Sequence, residues 1–109
     1  MNYDDILKSI LRKFQNEDAD NIRFIGHKKC YVKSVKDNVV KESLPVFASK
    51  EEYQDLLQDL FHDYPLDVKH PIAKKHIKFN GCCFVCTGID SLLTNSNEDH
   101  LYIRLISVQ

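Results

Sequence analysis

The stretch His76-Ile-Lys-Phe-Asn80-Gly81-Cys-Cys-Phe-Val-Cys86 decides the fold of this chain. Asn-Gly between two strand-like runs is the strongest short-range hairpin signal, because both central residues of a type I′ turn need positive φ. A polar loop follows, then a terminal strand-like run, Leu101-Tyr-Ile-Arg-Leu-Ile106. Upstream, Ile22–Ile25 and Tyr31–Val35 read as short strands joined around Gly26-His27-Lys28-Lys29. Lys36-Asp37-Asn38 reads as a turn into a third strand, Val39–Ser43. Residues 3 to 16 read as a helix, with Ile6, Leu7, Ile10, Leu11 and Phe14 on one apolar stripe. Asn2 suits its N-cap, and Asp4 and Asp5 suit the positive end of its dipole. Ser49 and Glu52 form a capping box for a second helix, in which Tyr53, Leu56, Leu57, Leu60 and Phe61 recur at helical spacing until Pro65. Pro45 marks an edge or connector, and Lys69–Ile72 is extended ahead of the hairpin. The order helix, three strands, helix, three strands predicts one α+β domain over residues 1–109. Its expected form is a mainly antiparallel sheet of about six strands with two helices packed on it.

Composition fits that expectation. The chain has 109 residues, 43% apolar and 28% charged, enough for one core and ordinary for a globular domain. A net charge of −1 gives no global attraction for nucleic acid or acidic membranes. No apolar run approaches the roughly 18 residues needed to span a bilayer. The opening Met-Asn-Tyr-Asp-Asp has neither the basic nor the apolar region of a signal peptide, so a cytoplasmic protein is expected. Cys30, Cys82, Cys83 and Cys86 then read as reduced thiols. Cys83-Phe-Val-Cys86 spells C-x-x-C, which invites a zinc or redox reading. In a strand, however, side chains three apart point to opposite faces, which favours buried strand cysteines and no metal site.

Motifs for self-sufficient catalysis are absent. There is no G-x-x-x-x-G-K-[ST] loop, no G-x-G-x-x-G and no G-x-S-x-G; Gly26, Gly81 and Gly88 stand singly. His27, His62, His70, His76 and His100 include no zincin pair at i, i+4, and read as solvated or locally hydrogen-bonded. Asp55, Asp59 and Asp63 form a ladder on the second helix, a solvated face or a dock for a basic partner. Lys69-His-Pro-Ile-Ala-Lys-Lys-His-Ile-Lys78 is locally basic. Lysines there either blunt an exposed edge strand or contact phosphate, and stacking aromatics are missing apart from Phe79, which directly follows the segment.

Four segments, in order, resemble the N-terminal domain of the type II/type IV secretion and pilus-assembly ATPases. Ala19-Asp-Asn-Ile-Arg-Phe24 resembles that family's opening strand, small-Ser-Asp-Ile-His, with Asn21 where Asp is usual. Tyr31-Val-Lys-Ser-Val-Lys-Asp-Asn-Val39 resembles its second strand, turn and third strand. His70-Pro-Ile-Ala73 with Asn80-Gly81 resembles the P-I/Q … D-G-x-R segment, with Cys83 near the place of that arginine. Ser91–Glu98 with Leu101-Tyr-Ile-Arg104 resembles the family's closing S-x-x-P-x-x-x-G-E-x-x-x-I-R. The resemblance covers about four-fifths of the chain by this reading, from Ala19 to Ser107. It implies a PAS-like, non-catalytic regulatory and oligomerisation domain that couples a motor to a hexameric ring and an inner-membrane platform. ATP and Mg²⁺ would belong to the motor domain of the parent protein, with no cofactor and no metal in this chain. The implied partners are that motor domain, neighbouring subunits and platform proteins, with no nucleic acid and no insertion into the membrane. The implied location is cytoplasmic, peripheral to the membrane through those partners. Arg104 is the position that matches a family arginine, implying a nucleotide or interdomain contact; its alternative role is a surface ion pair with an acidic neighbour such as Glu98. The alternative for the whole chain is a stand-alone binding protein, such as a phage or mobile-element inhibitor or adaptor that docks on a protein.

Overall fold

The computed structural model describes residues 3–36, 38–43, 47–63 and 66–108. Asn2, Asp37, Pro45 and Pro65, to which the sequence assigns cap, turn and boundary roles, lie outside them. The elements in chain order are helix α1 (Tyr3–Asn16), strands β1 (Ala19–Ile25), β2 (Cys30–Ser34) and β3 (Val40–Ser43), helix α2 (Lys50–Leu60), strands β4 (Ile72–Phe79) and β5 (Cys82–Ile89), a short helix α3 (Ser91–Thr94), and strand β6 (His100–Val108). All strands join one sheet in the order β3-β2-β1-β6-β5-β4, and every neighbouring pair is antiparallel. This is the expected α+β domain with an additional short helix. No described helix is long and apolar enough to cross a membrane.

Local chemistry explains the elements. At the hairpin tip Asn80 has φ 49° and Gly81 has φ 76°, and Phe79 pairs with Cys82, as a two-residue type I′ turn requires. Ser49 caps α2 by accepting the Glu52 amide at 3.2 Å. Asp90, which the sequence reading leaves in a loop, caps α3 by accepting the Leu92 amide at 2.9 Å. Asn95 ends α3 in the left-handed region. Strand β1 starts three residues before the sequence predicts, because a bulge between Ala19 and Asn21 lets the acidic run join the sheet.

Both long helices cover the same face of the sheet. Ile10, Leu11 and Phe14 of α1 and Tyr53, Leu56, Leu57 and Leu60 of α2 form one core with Ile22, Phe24, Phe84, Cys86, Leu101 and Ile103. Edge-to-face aromatic pairs knit the layers: Phe14 with Phe84 at 4.9 Å, Phe24 with Phe47 at 5.3 Å, and Phe47 with Tyr53 at 5.0 Å. The Tyr53 hydroxyl donates to the Asp99 carbonyl at 2.5 Å, tying α2 to the entry of β6. Gly88 leaves room for Phe61, whose ring would stand 2.7 Å from an added Cβ. Strands β3 and β4 form opposite edges of the sheet, so the chain between them, including α2, crosses the covered face. The other face has no described helix on it.

Candidate binding face

Antiparallel register arranges the uncovered face in rows, since directly opposed residues share a face. One row runs Glu42–Tyr31–Arg23–Tyr102–Thr87–Lys74 from edge to edge. The next runs Val40–Lys33–Asn21–Arg104–Val85–His76. Beyond it Lys78 pairs with Cys83. Along these rows the face carries Arg23, Lys33, Lys74, Lys78 and Arg104 as cations and Glu42 as the carboxylate, at the β3 edge. Asp20 falls at the bulge, outside this register, with its Oδ1 buried and unpartnered among the described residues.

Arg104 lies near the middle of the face, exposed, beside a shallow depression of about 410 Å³ bounded by Asn21, Lys74, His76 and Tyr102. A second hollow of about 130 Å³ lies among Asn21, Arg23, Tyr31, Lys33 and Val40. The Arg23 guanidinium carbon stands 5.0 Å from the centre of the Tyr102 ring, a cation–π contact that holds both groups to the surface. At the end of the face, His100 Nδ1 lies 3.3 Å from the Tyr102 hydroxyl. Burial holds the His100 pKa below its usual value, with Arg23 acting in the same direction and Asp99 against it.

The ion pair considered for Arg104 does not form. Glu98 instead accepts the His27 amide at 3.0 Å and meets His27 Nδ1 at 2.6 Å, clasping the β1–β2 loop to the segment before β6. No carboxylate lies within ion-pair distance of Arg104 among the described residues. His62 and His70 make the local contacts expected of them, to Asp59 and Asp63 and to Asp67 respectively. Asp55, Asp59 and Asp63 are exposed on the helical side of the molecule.

The C-x-x-C cysteines are separated by the sheet. Cys86 is fully buried in the core, whereas Cys83 pairs with Lys78 across the open side. Burial pushes the Cys86 thiol up to about 12 and the Cys30 thiol up to about 11, so both are protonated at neutral pH. The lysine segment does lie on an edge strand, but its side chains divide. Lys74 and Lys78 share the open face with His76, while Phe79 packs against the core.

Sequence reading singles out Arg104 and the lysines but misses Arg23, Lys33, Tyr31 and Tyr102. The available signal is alternation: Leu101 and Ile103 face the core, which puts Tyr102 and Arg104 together on the other side. Compared with known proteins, the chain matches no protein-family model and no curated protein.

Proposed function

We propose that this chain is a non-catalytic binding domain that docks an anionic partner on the open face of its sheet. We further propose that it serves as the N-terminal regulatory and oligomerisation domain of a secretion or pilus-assembly ATPase. The observation that carries the reading is Arg104: central on an uncovered basic face, exposed, and without a carboxylate in reach among the described residues. A guanidinium so placed can fork two hydrogen bonds to a phosphate or carboxylate from another molecule or domain. The family part is supported by placement. The segments that carry the resemblance fall on β1, on β2 and the residues after it, on the start of β4 with the β4–β5 turn, and on α3, the loop after it and β6; their strands belong to one sheet. In that setting ATP and Mg²⁺ are held by the motor domain, and this domain couples it to neighbouring subunits and to the membrane platform.

The test uses the full product of the encoding gene, purified with and without Arg104→Ala. The reading expects an ATP-hydrolysing ring whose turnover or assembly falls on substitution. It also expects no turnover from the 109-residue chain alone, which has no phosphate loop to seat the β- and γ-phosphates. A full product with no ATPase activity would overturn the family assignment and leave a stand-alone binding protein. A full product whose ATPase and assembly ignore Arg104→Ala would remove Arg104 from the coupling.

A further inference from the structure

We infer that the anionic partner on the open face is a single-stranded polynucleotide, a conclusion that rests on the docking reading above and names its occupant. Two observations on one surface carry it. The first is charge: Arg23, Lys33, Lys74, Lys78 and Arg104 gather on a single face of a chain whose net charge is −1. Exposed acids of α2, Glu51, Asp55 and Asp59, lie on the opposite, helical side. Such segregation orients the molecule, so that a polyanion meets the sheet first.

The second observation is the pair of tyrosines. Tyr31 and Tyr102 flank Arg23 on the strands to either side, about 10 Å apart at two strand spacings. Cations alone would serve an acidic peptide as well as a phosphate chain. Aromatic side chains between the cations favour a ligand that alternates charge with flat unpaired rings, which is what a single strand offers. Sequence-tolerant stacking contributes a roughly 5- to 150-fold gain per base. A duplex hides its base faces, and a broad sheet cannot enter its major groove. The sequence-based expectation of no nucleic acid rests on the net charge of −1, on the family resemblance and on the lack of aromatics beside Lys69–Lys78 other than Phe79. Folding supplies rings from β2 and β6 instead.

The test is fluorescence anisotropy of the 109-residue chain with labelled 15-mers of oligothymidylate and oligouridylate, set against a labelled poly-glutamate peptide of similar charge. We expect the oligonucleotides to bind more tightly than the peptide. Their log–log salt slope should be about −2 to −3, corresponding to three or four phosphates at about −0.7 each. Tyr102→Ala should weaken the oligonucleotides by at least about 5-fold while Tyr102→Phe does not. Arg104→Gln and Lys74→Gln, both at exposed positions, should each flatten the salt slope, and Lys50→Gln on α2 should change nothing. Equal binding of peptide and oligonucleotide, insensitive to Tyr102→Ala in protein of unchanged circular dichroism, overturns the polynucleotide inference and leaves the docking reading standing. Binding of neither probe by folded protein at low salt overturns both.

Discussion

Replacing Gly26 with alanine tests the clasp that fixes one end of the open face. Gly26 has φ +79°, a conformation that costs an L-residue about 1 kcal/mol or slightly more. An added Cβ would also fall onto the Glu98 carboxylate, contacting Oε2 and lying 2.9 Å from Cδ. Glu98 would have to leave, giving up its bonds to the His27 amide and ring. Their side chains are only 19% and 17% exposed, so losing this charge-assisted pair should cost about 1–3 kcal/mol after the carboxylate regains water. The sum is about 2–4 kcal/mol, a fall in melting midpoint of at least about 8 °C for a domain of this size. Urea unfolding of Gly26→Ala, Glu98→Ala and the double variant separates the two contributions. With Glu98 already truncated to Ala, only its Cβ remains beside the added methyl, at 3.1 Å, so Gly26→Ala should cost little beyond the backbone part, about 1 kcal/mol. Equal cost in both backgrounds would show that Glu98 and Gly26 are not coupled, and the loop clasp would be wrong.

Gly81→Val forces a β-branched residue to positive φ in the hairpin turn and should cost more than about 1 kcal/mol; an unchanged melting midpoint would contradict the type I′ turn. Ser49→Ala should lower stability by about 1 kcal/mol in urea titrations through loss of the Glu52 cap, without altering any property of the open face. Cys30 and Cys86 should resist a thiol reagent at pH 8 until the protein unfolds, while Cys82 and Cys83 react sooner; rapid labelling of all four in folded protein would refute the core placement. The thiols also set a pH dependence. Their folded pKa values, about 11 and about 12, lie above the ordinary 9.0, so folding favours the protonated form. That contribution is fully present below about pH 9 and is lost as pH rises through 9 toward 12, so the melting midpoint should fall over that range.

Much of the fold is legible in local chemistry, because Asn80-Gly81, the Ser49 cap and the apolar stripes of both long helices act within a few residues of sequence. The start of β1 is hidden by its polar composition, since Asp20 and Asn21 read as a breaker unless the bulge is known. Helix α3 is hidden by its brevity. The candidate face is legible only in part. Alternation in Leu101-Tyr-Ile-Arg104 shows that Tyr102 and Arg104 share a side, but nothing local says that β6 lies between β1 and β5. That placement brings Arg23, Lys33 and Tyr31 to Arg104 from more than sixty residues away in the chain. Glu98 shows the same limit from the other side. Its proximity in sequence suggests Arg104, whereas the fold gives it to His27, 71 residues away.

An amide chemical-shift titration of isotope-labelled protein with a short oligothymidylate tests the open face as the docking surface. Shifts should concentrate at Arg23, Tyr31, Lys33, Lys74, Thr87, Tyr102 and Arg104, fade as salt is raised, and spare α1 and α2. Shifts centred on the helices, or none at low salt, would contradict it.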